Sequence, residues 1–189
     1  LWFARFMTGM HKRMGDVVKQ DKAVTLDVIH KLIEGLEEEF LTEPEPAAKE
    51  KISDAALFIL ASFLGGLRGE ETLKLVLGEA RQYITEAENH CKHKHVILPL
   101  RGRFKGETGE SFHFLAVTAE TDSGMRIGCW LKRSLGFKEE RGVTRGFLFV
   151  DGKEKRLKLR NLEPFILDRV ARVQSSFPDL IRKSVDVHE

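Results

Sequence analysis

The sequence predicts an α+β protein that is mostly α-helical and contains a small antiparallel β-sheet. Apolar residues at helical spacing occupy both ends of the 189-residue chain, and two strand-like runs joined by a glycine-containing turn lie between them. Helices followed by strands and then by helices are typical of an α+β fold rather than of an alternating parallel-sheet fold. Hydrophobic residues make up 42% of the chain, which is enough for a folded core and excludes a disordered chain.

The residues before the strands are predicted to form helices. One helix over 26–40 starts behind Thr25, whose side chain can accept a free backbone N–H of the first turn. A second helix is predicted over 47–64; it is apolar nearly all round from Ala55 to Leu64, so we expect it at the centre of the fold. Two glycines end it. A third helix is predicted to begin near Arg68 and to extend through Leu77.

The segments HVILPLRGRF (95–104) and SFHFLAVT (111–118) alternate as strands do, and KGETGE between them suits a turn. They predict a β-hairpin.

Two further helices are predicted after the hairpin. Asp122 or Ser123 is expected to cap the first of them, which includes Trp130, and Asn161 is expected to cap the last, which runs to about residue 175. The apolar segment GFLFVDG (146–152) lies between them and predicts a short extended piece.

Composition restricts the function only weakly. The formal net charge is +2, which neither requires nor excludes a nucleic-acid partner, so the clustering of cations matters more. The two cysteines cannot form a disulfide framework and indicate a reducing compartment. No apolar stretch reaches the ~20 residues that cross a bilayer, so no membrane partner is expected.

The segment FLGGLRGEE (63–71) sets a permanent cation, Arg68, directly after an apolar helix. A guanidinium there can bind two oxygens of one phosphate. Glu71 lies three residues further along the same predicted helix and can support it. The alternative is a surface ion pair that contributes well under ~1 kcal/mol.

Three cations fall at every second position at the end of the first predicted strand: Arg101, Arg103 and Lys105. Side chains two apart in a strand share a face, so these could lie along a phosphate backbone. A lysine so placed could also protonate a leaving oxygen. The alternative is a charged edge strand that discourages aggregation.

The segment NHCKHKH (89–95) contains four potential zinc ligands: His90, Cys91, His93 and His95. They are too crowded for a usual tetrahedral site, and no second pair of ligands follows at normal spacing. We therefore predict no metal site. The segment is interpreted instead as a basic lead into the hairpin, with Lys92 and Lys94 facing DNA.

The phrase LGGLRGEE, following an apolar helix, resembles the first arginine box of tyrosine recombinases, the phage-integrase family. RGRFKGETGES lies where that family has its catalytic lysine, and KAVTLDVIHKLIEGL is similar to the helix that opens its catalytic domain. The resemblance covers most of 22–175 and is closest to recombinases of mobile elements. It implies that 1–21 end a helical DNA-clamping domain plus linker and that 22–189 are part of the catalytic domain.

The resemblance implies DNA recombination or integration on double-stranded DNA, with self-association on the DNA in the full-length protein. A tyrosine attacks a phosphodiester and forms a 3′-phosphotyrosyl link, so no cofactor is required. Arg68 would clamp the phosphate, Glu71 would support Arg68, and Lys105 would be the acid that protonates the leaving oxygen. The protein would be intracellular, in the nucleus if the host is eukaryotic and otherwise in the cytoplasm.

The family also has a His-x-x-Arg box and a nucleophilic tyrosine after the last predicted helix. His188 has no arginine three residues on, and Tyr83 lies too soon after Arg68 to be the nucleophile. We therefore expect the first part of a recombinase catalytic domain, which by itself does not cleave DNA. Two alternatives stay open: a catalytically dead DNA-binding remnant, and an α+β protein-interaction module in which the Arg68–Glu71 pair is structural.

Overall fold

A computed structural model describes residues 25–77, 95–102, 109, 111–178 and 180. The elements in chain order are α1 Leu26–Thr42, α2 Pro46–Leu64, α3 Gly69–Thr72, β1 His95–Gly102, β2 Ser111–Thr118, α4 Ile127–Glu140 and α5 Leu159–Ser176. The helices and the antiparallel pair of strands confirm the predicted α+β class. Among the described residues, no helix combines the length and apolar character needed to cross a membrane.

Helix α2 is the centre of the molecule, as its composition predicted. Every residue from Ile52 to Ser62 is buried, and α1, α4 and α5 all pack against this helix. Helix α1 begins as predicted, because the backbone N–H of Val28 donates to the hydroxyl of Thr25 at 3.4 Å. A helix that is apolar on all sides has to be covered on all sides, which explains why the other helices surround α2.

A cluster of charges lies between the first half of α2 and helix α4. The Lys138 side chain is fully buried and forms ion pairs with Glu50 and, at 2.8 Å, with Asp54. Ser134 donates to the other oxygen of Asp54 at 2.5 Å, and Arg141 reaches Glu50 at 2.8 Å. Burial raises the pKa of Asp54, although Lys138 and Ser134 act in the opposite direction. The two helices are therefore joined through a buried polar network as well as through apolar contacts.

The hairpin is confirmed. Strands β1 and β2 pair antiparallel along their full length, from His95 opposite Thr118 to Gly102 opposite Ser111. The turn between them lies outside the described residues, apart from Gly109.

The predicted helix from Arg68 through Leu77 is wrong beyond its first turn. Helix α3 ends at Thr72, and the backbone then becomes extended, so that Leu75 pairs with Leu100 of β1 and Val76 with Phe147. These bridges use residues that are distant in sequence, and pairing with them outweighs the local helical pattern. Residues 75–77 thus lie between β1 and residues 146–148. The extended piece predicted over 146–152 is found only in part, as single bridges at Phe147 and Val150 with bends between them.

Two predicted caps are wrong. Helix α4 begins at Ile127, after a turn in which the Thr121 hydroxyl accepts from the backbone N–H of Met125 at 3.0 Å, so neither Asp122 nor Ser123 caps it. Helix α5 begins at Leu159, and Asn161 lies inside its first turn. The Asn161 side chain accepts from the N–H of Lys158 at 3.2 Å, so it supports the helix start from within.

Candidate nucleic-acid interface

Arg68 lies in the short connection between α2 and α3. Helix α2 ends at Gly65, whose N–H bonds to the carbonyl of Ala61, and Gly66 follows with φ 61°, a conformation that favours glycine. Arg68 itself is extended, with φ −73° and ψ 153°, and is the residue that precedes helix α3. It is half-buried. The two glycines therefore turn the chain sharply out of the core and bring an arginine to the surface.

Glu71 supports Arg68 through the backbone. Its carboxylate accepts a hydrogen bond from the backbone N–H of Arg68 at 2.9 Å. This contact is one half of a capping box, in which the third helical residue reaches back to the residue before the helix. The predicted support by Glu71 thus has a definite geometry, which holds the main chain of Arg68 in place.

The segment from Gly65 to Lys74, which includes Arg68, contacts the hairpin at each end of the segment. A Cβ added to Gly65 would lie 2.6 Å from the Cδ2 atom of Leu115 in β2, and one added to Gly102 would lie 3.1 Å from the Lys74 side chain. The N–H of Arg101 donates to the carbonyl of Lys74 at 2.9 Å. The fold therefore places the Arg68 connection beside the hairpin, against the middle of β2 and the end of β1 at Gly102.

The two faces of the hairpin differ. Val96, Leu98 and Leu100 point into the core and are buried, whereas Arg101 is exposed on the opposite face. The predicted positions Lys92, Lys94, Arg103 and Lys105 lie outside the described residues, so of the hairpin cations the structure places Arg101 alone.

Sequence reasoning missed an aromatic pair beside Arg101. Phe112 lies directly opposite Arg101 in the register, and Phe114 lies two residues further on the same face. The two rings are 38% and 53% exposed, and their centres are 4.8 Å apart in an edge-to-face arrangement. The signal was present in SFHF, where two phenylalanines at strand spacing must share one face.

A basic turn lies on the far side of residues 75–77 from β1. Val150 pairs with Arg156 across it, and the Asp151 carboxylate accepts from the N–H groups of Lys153 and Lys155 at 2.8 and 2.9 Å. These hydrogen bonds lower the pKa of Asp151. The cations of the turn and of the start of α5 are exposed: Lys153, Lys155, Arg156, Lys158 and Arg160.

No metal centre is found among the described residues, where no group of three or more histidine, cysteine or acidic side chains converges. Of the four potential ligands in NHCKHKH, the described residues include only His95, which is exposed at the start of β1.

Comparisons with known proteins found no match, whether with models of protein families, with curated proteins or with solved structures.

Proposed function

We propose that this chain binds the phosphate backbone of duplex DNA and is the part of a tyrosine-recombinase catalytic domain that holds the phosphate to be cleaved. One observation supports this best: Arg68 follows the central helix on a connection whose main chain is held by hydrogen bonds and which packs against the hairpin that bears Arg101. The segment LGGLRGEE and the strand that bears Arg101 thus pack together although they are far apart in sequence, which supports the proposal.

The chemistry of the two arginines suits a phosphodiester. A guanidinium presents paired N–H donors that match two phosphate oxygens, and it stays charged at all physiological pH values. Arg101 is exposed on the outer face of the hairpin and can follow the DNA backbone, while Arg68 grips one phosphate. In this proposal Lys105, which lies between β1 and β2 in the sequence, is the acid that protonates the leaving oxygen.

Strand exchange or integration is the activity proposed for the complete recombinase. The proposal for the chain itself is narrower, because the chain has one tyrosine, Tyr83, which we do not assign as the nucleophile. Phosphate recognition by Arg68 would then stabilise the charge that develops when a tyrosine attacks.

A protein-interaction module is the second candidate. The exposed pair Phe112 and Phe114 favours it, because aromatic residues are enriched where proteins meet. In that case Arg68 and Glu71 would serve only to join α2 to α3.

Fluorescence anisotropy with a labelled duplex separates the two candidates. The wild-type protein is expected to bind with an affinity that falls steeply with salt, since each neutralised phosphate releases counterions. Arg68→Ala should weaken binding about tenfold, as expected for a lost hydrogen-bonded charge. Arg101→Ala should lower the salt slope by about one unit.

Arg172→Ala is the matched control, since Arg172 is an exposed arginine paired with Asp168 on α5. It should leave the affinity nearly unchanged. A salt slope near zero for the wild type, or equal effects of Arg68→Ala and Arg172→Ala, would contradict phosphate binding at Arg68.

A further inference from the structure

Two buried hydroxyl groups connect helix α2 to the main chain of Arg68. Ser62 lies in the last turn of α2 and Thr72 at the end of α3; both are buried, and their oxygens are 2.7 Å apart. The Thr72 hydroxyl also donates to the carbonyl oxygen of Arg68 at 3.2 Å. Because a hydroxyl has one proton to donate, Ser62 then donates to Thr72. The hydrogen bonds run from Ser62 through Thr72 to Arg68.

These contacts fix both polar groups of the Arg68 main chain. Its carbonyl accepts from the backbone N–H groups of Glu71 and Thr72 at 2.8 and 2.9 Å as well as from the Thr72 hydroxyl. Its N–H donates to the Glu71 carboxylate. With both groups engaged, the direction in which the Arg68 side chain leaves the backbone is set relative to the core.

Packing alone does not account for the two hydroxyls. A buried hydroxyl is unfavourable unless it is hydrogen-bonded, and an apolar side chain of similar volume can occupy such a site. What a hydroxyl adds is direction, because its hydrogen bond fixes where the acceptor lies.

We infer that Thr72 and Ser62 are positioning residues that hold Arg68 in the orientation that meets a phosphate, an inference that rests on the proposed function. A side chain oriented before binding loses less freedom when the ligand arrives, so the pair increases the affinity contributed by Arg68 without touching DNA.

A double-mutant cycle tests this. Arg68→Ala is made in the wild type, in Thr72→Val, which removes the hydroxyl and keeps the branched shape, and in Thr72→Ser, which keeps the hydroxyl. The loss of duplex affinity caused by Arg68→Ala should be about tenfold in the wild type and in Thr72→Ser. It should shrink to about threefold or less in Thr72→Val, a coupling in the range found for contacting residues.

Ser62→Ala provides a second variant in case Thr72→Val fails to fold, and it should reduce the Arg68 effect in the same direction. The control is Ser53→Ala, which removes another buried hydroxyl of α2, one that donates to the carbonyl of Trp130 at 3.4 Å. The control should leave the tenfold effect unchanged. A merely structural role for Thr72 would lower the free energy of unfolding and leave the Arg68 effect at tenfold.

The outcomes distinguish the two proposals. If Arg68→Ala weakens binding equally in the wild type, Thr72→Val and Ser62→Ala, the positioning role is overturned and phosphate binding by Arg68 stands. If Arg68→Ala has no effect on affinity in the wild type, the proposed function fails and the positioning role fails with it.

Discussion

The two ends of helix α2 use polar groups in opposite ways. Near its start, Glu50 and Asp54 pair with Lys138, a lysine whose side chain is fully buried. At its end, the neutral hydroxyl of Ser62 is hydrogen-bonded to the hydroxyl of Thr72, which donates to the backbone carbonyl of Arg68, a half-buried residue. Both regions join α2 to a neighbouring segment; the first does so through ion pairs and the second through hydrogen bonds between hydroxyl groups and the backbone.

The difference separates charges that hold two helices together from hydroxyl groups that position a stretch of main chain. A buried ion pair contributes little net stability, because desolvation offsets the attraction, yet losing one partner is strongly unfavourable. The charges around Lys138 are thereby committed to the interface of α2 and α4. The Ser62–Thr72 contacts, by contrast, engage the main chain of Arg68.

The largest expected effect is at the charged end. Lys138→Met leaves the buried Asp54 carboxylate without its cation, whereas Glu50 keeps its ion pair with Arg141, and the substitution should lower the free energy of unfolding by about 3–5 kcal/mol. Urea denaturation measures this, with Lys132→Met, an exposed lysine on the same helix, as the control that changes stability by less than about 0.5 kcal/mol. A loss below about 1 kcal/mol for Lys138→Met would show that the cluster relaxes or takes up water.

An intermediate effect is expected at the Arg68 end. Glu71→Ala removes the acceptor for the Arg68 N–H and should lower stability by about 1 kcal/mol, as the loss of a helix cap does. It should also weaken duplex binding, while Glu71→Gln, which keeps an acceptor oxygen, should cost less in both measurements. Glu70→Ala, at the exposed neighbouring position, is the control. Equal effects of Glu70→Ala and Glu71→Ala would contradict support through the backbone.

The smallest expected effect is on how the free energy of unfolding changes with pH. Burial raises the pKa of Asp54 in the folded state, so the unfolded chain releases that proton at lower pH. The contribution of Asp54 to stability is then fully present below about pH 4, the ordinary range of an aspartate, and is lost as the pH rises through the raised pKa.

Asp54→Asn should remove this decline in the free energy of unfolding, measured by urea denaturation at several pH values. The hydroxyls of Ser62 and Thr72 do not titrate there, so Ser62→Ala should retain the decline. An unchanged profile in Asp54→Asn would show that another group dominates.

Sequence predicted the parts of the fold that depend on local patterns. The apolar character of Ala55–Leu64 predicted the central helix, and the alternation in 95–104 and 111–118 predicted the hairpin. The extended backbone at Leu75 and Val76 was missed, because its partners are Leu100 and Phe147, far along the chain.

The sequence predicted the charged residues of the candidate site but not its neutral ones. Arg68 and Glu71 form a recognisable pair in the sequence, whereas Ser62 is one small polar residue within an apolar run. Its contact with Thr72 exists only because Gly65 and Gly66 turn the chain back on itself. Lys138 was missed for a similar reason, since its burial depends on the two carboxylates that α2 supplies.

The most direct test of phosphate binding at Arg68 is an amide NMR titration of the protein with a short DNA duplex. We expect saturable chemical-shift changes at Arg68–Thr72 and at Arg101 that disappear at high salt, with the amides of Asp54 and Lys138 unchanged. Shifts confined to the Phe112–Phe114 face and insensitive to salt, or none at Arg68–Thr72, would contradict phosphate binding at Arg68.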